Sequence, residues 1–424
     1  MAARPSLPLA TRQLRHPTIV RAAFVVLSLL PALAGNAGAM AGQAPGSYRI
    51  LSPDSVIRIP FDIYRGDIRM AAVVNGRPMH LLLDDGFMWD ALLLWGGSVD
   101  SLGLRYDRAV EIGDSAGANA IRSRQASGLS VRFPGVEFED QTAVVTPSSS
   151  GVGALWAGSE GQISAAFFKH FVVVIDFDEM VITLVEPAKF RYVGRGTEVP
   201  LRPLESGPST IPAVLDLADG RSVSVDLMLD LGYNDQLQIT TTGEHRIPVP
   251  RRSLAASLGM NIQGVPTLGF VGRVARVSIG GHVLPDVLAA FVSPEHSEHA
   301  YSEVMVGLGL LSRFNIAYDY PHRRMYLEPN RSFAAPFEYG MSGFASRRAA
   351  DGTLEITEVY PESPASDAGL RSGDRISRID GQPVGEMDPE ARRLMLRQSG
   401  RTLALSVQRG GTVREVPITL RRVI

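Results

Sequence analysis

Leu81-Leu82-Leu83-Asp84-Asp85-Gly86-Phe87 and Leu227-Met228-Leu229-Asp230-Leu231-Gly232-Tyr233 are one phrase written twice, 146 positions apart. Each copy is an apolar run ending in Asp-x-Gly. Each follows a turn: Asn75-Gly76-Arg77 before the first, Asp219-Gly220-Arg221 before the second. A closing phrase repeats as well. Phe167-Phe168-Lys169-His170-Phe171, Asp176-Phe177 and Glu186-Pro187 are echoed by Leu310-Leu311-Ser312-Arg313-Phe314, Asp319-Tyr320 and Glu328-Pro329. A lone Asp-x-Gly reads as a turn. Order and spacing kept together across two copies instead mark a tandem repeat of two similar units.

Short apolar segments such as Ala71 to Val74, Val172 to Ile175, Val271 to Ile279 and Arg324 to Leu327 are bounded by Gly, Pro or Asp, and long helical periodicity is scarce. That texture predicts mainly β units built from hairpins, with a cleft where the two meet and a connection over residues 188–200.

Asp placed before x-Gly at the end of an apolar strand carries a carboxylate into a buried place, and Gly permits the tight turn that follows. Two carboxyls brought within hydrogen-bond distance cannot both ionise, so they share a proton. One can then deprotonate a water while its partner donates to a substrate carbonyl oxygen.

These residues resemble the pepsin/retropepsin-like aspartyl proteases, whose two lobes each supply an Asp-Thr-Gly or Asp-Ser-Gly. The resemblance covers roughly residues 55–330. It implies a two-lobed β-barrel pair with lobe 1 at 47–190 and lobe 2 at 198–330. It also implies Asp84 and Asp230 as the catalytic dyad, with Asp85, Gly86, Leu231, Gly232 and Gly307 in support and no cofactor or metal. Met305-Val306-Gly307 fits the apolar-apolar-Gly segment of the second lobe, and Gln162-Ile163-Ser164 takes its place in the first. Asp85 and Leu231 stand where the family has a hydroxyl residue. Leu231 neither donates nor accepts through its side chain, and an ionised Asp85 only accepts. An extra buried carboxylate there either raises its neighbours' pKa values or calls for an Arg. Two readings follow: an exported aspartic-type endopeptidase, or an inactive lobe pair that serves as a peptide-binding scaffold. The Gly-rich segments 113–120 and 264–272 are where flaps over the cleft would fall, or else plain loops.

From Tyr339 the texture changes. Gly343-Phe344, Leu354 to Val359, Ser363-Pro364-Ala365, Gly373-Asp374-Arg375-Ile376 and Ile379-Asp380-Gly381 resemble, in order and spacing, a small α+β PDZ domain over 337–424. The resemblance implies a carboxylate loop at Gly340 to Phe344 and a peptide-receiving strand from Phe344, so Gly343, Phe344 and Ala345 become peptide-binding candidates. C-terminal peptides or polypeptide substrates are the implied partners. A helix is expected at Pro389 to Gln398, and strands at Leu403 to Arg409 and Arg414 to Leu420.

Composition bounds the rest. The 424 residues are 45% hydrophobic with 42 Gly, 28 Pro and no Cys, a folded chain without disulfides, Cys-ligated zinc or a thiol nucleophile. With 42 basic against 44 acidic residues and no basic stripe, nucleic acid is not an expected partner. Only Lys169 and Lys189 are lysines. Arg4, Arg12, Arg15 and Arg21 precede the apolar run Ala22 to Ala34 and the small-x-small Ala37-Gly38-Ala39. This reads as a secretory signal over 1–39, and so as an exported, periplasmic protein with no stable membrane span once it is cleaved. Gly113-Asp114-Ser115-Ala116-Gly117 has the form of a nucleophile elbow but lacks a following helical stripe. Glu295-His296-Ser297-Glu298-His299 lacks metal-ligand spacing, and Gly307-Leu308-Gly309 lacks a βαβ setting.

Overall fold

The computed structural model of the chain describes residues 47–52, 56–86, 90–112, 121–150, 152–204, 208–260, 266–293 and 302–424. The signal-like region 1–39, the segment 113–120 with its Gly-x-Ser-x-Gly, and the 295–299 motif lie outside the described residues.

The chain is mainly β, as its texture predicts. Turn chemistry sets the hairpins of the first half. Ile57–Tyr64 and Asp67–Val74 reverse at Arg65-Gly66, with φ of 57° and 101°. Asp67–Val74 and Arg77–Leu83 reverse at Asn75-Gly76, with φ of 46° and 79°. Two residues in succession at positive φ make the tight turn whose twist matches paired strands. Ile57, Ile59 and Phe61 are buried while their neighbours are exposed, the period-2 pattern of a strand with one face on a core.

The second half repeats the plan: Ser209–Asp216 pairs with Ser222–Asp230, and Pro266–Ile279 with His282–Val292 around Gly280-Gly281. In each half the strand leading to Asp-x-Gly takes a parallel neighbour from much later in the unit. Arg77–Leu83 lies beside Gly161–Ile163, and Ser222–Asp230 beside Val304–Gly307. Those neighbours are the Gln162-Ile163-Ser164 and Met305-Val306-Gly307 segments singled out above, and Gly307 sits directly across from Asp230. Tyr106–Ile112 pairs with Ile121–Phe133 and Leu254–Met260 with Pro266–Ile279; of the two Gly-rich segments, 113–120 and residues 264–265 lie outside the described residues. Residues 266–272 of the second segment belong to the strand itself.

The two closing phrases join the halves. Val172–Asp176 and Phe314–Asp319 are antiparallel neighbours, with Val173 opposite Tyr318 and Ile175 opposite Ile316. The expected connection 188–200 is partly structured. Thr197–Pro200 is a strand on Arg324–Pro329, because Thr-Glu-Val-Pro offers a buried Val199 and an edge where Pro needs no ladder partner. One continuous hydrophobic cluster, including Leu83, Phe168, Leu229, Leu231, Phe314 and Tyr318, runs through both halves.

The C-terminal part has its own core around Ile356, Ile376, Leu405 and Ile418. Its strands run in the order Phe344–Arg348, Leu354–Val359, Arg375–Ile379, Thr402–Arg409, Thr412–Thr419. Two helices start at capped prolines. Ser363 accepts from the Ser366 N–H ahead of Pro364–Asp367, and Asp388 accepts from the Ala391 N–H ahead of Pro389–Met395. The second helix is shorter than the sequence expectation, ending before Leu396. No helix among the described residues is long and apolar enough to cross a membrane.

Candidate active site and peptide groove

The two Asp-x-Gly turns meet face to face. The Gly86 N–H donates to Asp84 Oδ1 at 2.9 Å, and the Gly232 N–H donates to Asp230 Oδ1 at 2.8 Å, so each turn orients its own carboxyl in the same way. Each glycine lies against the other turn's carboxyl. A methyl group on Gly86 would come 2.5 Å from Asp230 Cγ, and one on Gly232 would come 2.7 Å from Asp84 Cγ. Glycine is needed here because of this close approach and not because of its φ. Asp84, Asp85 and Asp230 are 3%, 0% and 1% exposed.

Burial pushes the Asp230 carboxyl well above its usual range. The charges of Asp84 and then Asp85 push it further, while the Gly232 N–H pulls it back; a hydrogen bond shared with Asp84 raises it again. Of the two outcomes expected from an added buried carboxylate, raised neighbours is the one observed.

Asp85 completes the junction in an unexpected way. Its Oδ1 accepts the Leu231 N–H at 2.7 Å, a bond from one half of the chain to the other. Burial lifts its pKa to about 7; Leu231 N–H lowers it, Asp84 raises it, and the nearby Tyr318 hydroxyl lowers it. Below about pH 7 Asp85 is neutral, with one oxygen accepting and an O–H to donate, which is the pair of roles a hydroxyl would fill. Neither Asp85 Oδ2 nor the Tyr318 hydroxyl forms a well-aligned hydrogen bond. Tyr318 comes from the closing phrase of the second half, as does the buried Tyr320 behind it. Leu231 makes no polar side-chain contact; its side chain is fully buried in the shared core.

Gly307 supports the second turn by letting backbones approach. Its N–H donates to Gln236 O at 3.0 Å, and a methyl group there would collide with Tyr233 O and Asp235 O. The loop after Asp230 also meets the C-terminal part. Asp235 is half-buried; desolvation raises its pKa, and Arg397 and Arg393 face it and pull it down. Asp67, Asn234 and Asp235 were not picked out from the sequence; an Asp directly after the Arg65-Gly66 turn was the available signal.

In the C-terminal part, Phe344–Arg348 is an edge strand, as strand addition requires. Gly343, at φ 77°, packs against the Ser363 side chain, and its carbonyl accepts from Tyr360 N–H at 2.9 Å and Ser363 Oγ at 3.1 Å. The Met341 N–H donates to Leu396 O at 2.8 Å, linking the loop to the end of the helix. Phe344 belongs to the C-terminal core. Ala345 points the other way, into the cluster shared with the two halves.

Residues 355–409 match the PDZ domain family. That region is thus a PDZ domain, a peptide-binding module; Gly343, Phe344 and Ala345 precede the matched stretch. No curated protein matches the sequence. Among solved structures the chain is similar to the aspartic proteinase from Irpex lacteus, at 14% identity and a TM-score of 0.41, over 66% of this chain and 99% of that one.

Proposed function

We propose that this protein is an exported aspartic-type endopeptidase whose PDZ domain captures peptide termini. The observation that carries the reading is the mutual placement of the turns: Gly86 lies against the Asp230 carboxyl and Gly232 against that of Asp84. Asp84 and Asp230 are the dyad, with Asp85, Gly86, Leu231, Gly232 and Gly307 as its frame. In the reaction, the ionised member takes a proton from water as the water oxygen attacks the scissile carbonyl carbon. The protonated member gives its proton to the carbonyl oxygen, forming a neutral gem-diol. Collapse then breaks the C–N bond: the leaving nitrogen receives the proton just taken from water, and a gem-diol hydroxyl returns its proton to the member that had donated one, restoring the dyad. No metal and no covalent intermediate enters. Asp85, neutral below about pH 7, ties the lobes beneath the dyad without adding a second negative charge.

In the PDZ domain, Gly343 shapes the carboxylate loop, and the strand from Phe344 through Ala345 supplies backbone pairing to an extended peptide. The basic, then apolar, then small-residue N-terminus supports export to the periplasm.

The test is turnover of a mixed peptide library from acidic to mildly basic pH with a chelator present. Wild-type cleavage that disappears in both Asp84→Asn and Asp230→Asn is expected. A second reading, a pseudoprotease that binds peptides, is favoured by Leu231, which offers the dyad no side-chain hydrogen bond. Peptide binding without any cleavage by the wild type selects it.

A further inference from the structure

Asp67 opens the strand that follows the Arg65-Gly66 turn and is 7% exposed. The Asn234 side chain, from the other half of the chain, lies over that turn; a methyl group on Gly66 would come 3.1 Å from Asn234 Cγ. With its amide oxygen and nitrogen assigned from the hydrogen-bond network, so that the nitrogen faces the acceptors, Asn234 donates to Gly66 O at 3.1 Å and to Asp67 Oδ1 at 2.8 Å. Asn234 stands four residues after Asp230. Near the two Asp-x-Gly turns the halves are therefore tied through first-half side-chain acceptors, Asp85 receiving Leu231 N–H and Asp67 receiving the Asn234 amide, while away from the turns Asp178 receives Asn315 and Arg331. A symmetric junction would use the residue after each dyad Asp. Leu231 cannot reciprocate Asp85, and the Asp67–Asn234 bond supplies a second tie.

We propose that Asp67 is a positioning residue for the dyad, holding Asn234 of the opposite lobe and so fixing the Asp230 turn against that of Asp84. The proposal rests on the peptidase reading. It also has an electrostatic side. The charged and titratable groups facing Asp67 are Asp84 and Arg65. Burial first and the Asp84 charge second raise the Asp67 carboxyl to about 7, against the lowering by Asn234 and Arg65. As Asp67 ionises, its charge opposes ionisation at Asp84 and keeps the dyad's shared proton in place to higher pH.

The experiment uses the full chain and compares kcat and its pH profile for wild type, Asp67→Asn, Asp67→Ala and Asn234→Ala, with near-UV circular dichroism to establish folding. Asp67→Asn keeps an acceptor for Asn234 and removes the charge. Its basic limb is expected to move to lower pH by roughly half a unit to one unit, with kcat at the optimum kept. Asp67→Ala removes the tie and is expected to lower kcat at the optimum by roughly tenfold to a hundredfold. Asn234→Ala is expected to match it, and the double variant to be no worse than either. A merely structural role would scale activity at every pH and leave the limb unmoved. Wild-type cleavage with an unmoved limb in Asp67→Asn and an unchanged kcat in Asp67→Ala overturns this inference alone. Absence of cleavage by the wild type overturns the peptidase reading and the positioning role together.

Discussion

Asp85 Oδ1 accepts the backbone N–H of Leu231 at 2.7 Å, joining residues 146 positions apart in the chain at the place where the two Asp-x-Gly turns meet. A carboxyl stands where a hydroxyl would serve, and it is kept neutral by burial up to about pH 7. The fold thus obtains an acceptor for a cross-lobe N–H from a residue that would carry a negative charge in water.

That protonation has a signature in stability. The folded pKa of Asp85, about 7, lies above the 3.8 of an ordinary aspartate. Its contribution is fully present below about pH 4 and is lost as pH rises through 7. Asp85→Asn keeps an acceptor for Leu231 without the ionisation cost. It is expected to be on the order of a few kcal/mol more stable than wild type at pH 8, with the difference shrinking toward pH 4. Urea denaturation at both pH values measures it; equal pH dependence in the two proteins would refute it.

The glycines of the two turns have no spare room. Gly86→Ala places a methyl group 2.5 Å from Cγ of the buried Asp230 carboxyl. Overpacking of this kind costs about 1–3 kcal/mol, and the displaced carboxyl is expected to lower cleavage roughly a hundredfold. Gly232→Ala is expected to behave alike, since it meets Asp84 in the same manner. Thermal unfolding and turnover, measured on the same preparations, separate the two effects.

The PDZ groove should read a terminal charge. Full-length protein, titrated with peptides ending in apolar residues, is expected to bind the free acid more tightly than the C-terminal amide, because backbone donors at the loop lose their anion in the amide. Calorimetry on the dyad-disabled Asp84→Asn protein avoids cleavage during the titration. Equal affinities would assign the domain a bracing role, for which Ala345 and Tyr360, already packed into the lobes' core, supply contacts.

Within the PDZ domain, Asp374 is 1% exposed, and its two oxygens accept from Arg409 Nε and Nη2, each at 2.6 Å. Burial works against the charge, but the Arg409 bonds and the Arg371 N–H outweigh it and hold the carboxyl below its usual range. Arg409→Met leaves that carboxylate without its partner and is expected to destabilise the domain at pH 7. Because the Asp374 pKa is depressed in the fold, the loss should fade as pH falls through the carboxylate range. Hydrogen exchange of the strand Thr402–Arg409 locates the effect; an unchanged exchange pattern would count against it.

The paired phrases around Asp84 and Asp230, the turn at Asn75-Gly76-Arg77 and a helix starting at Pro389 were all legible in the sequence, because each is a local pattern with a local physical cause. So was the PDZ domain, whose motifs keep their order. What only the tertiary structure decided depends on dielectric surroundings and on contacts between distant parts of the chain. The sequence marks Asp85 as a departure, but its neutrality follows from complete burial beside Asp84 and Tyr318. Asp67 looks like an ordinary polar residue after a turn until Asn234, from the other half, is set over it. Thr197–Pro200 reads as linker until Arg324–Pro329 offers it an edge. Periodicity and turn chemistry act over a few residues and survive in a linear string, whereas charge states and cross-lobe ties exist only after folding has excluded water and brought the partners together.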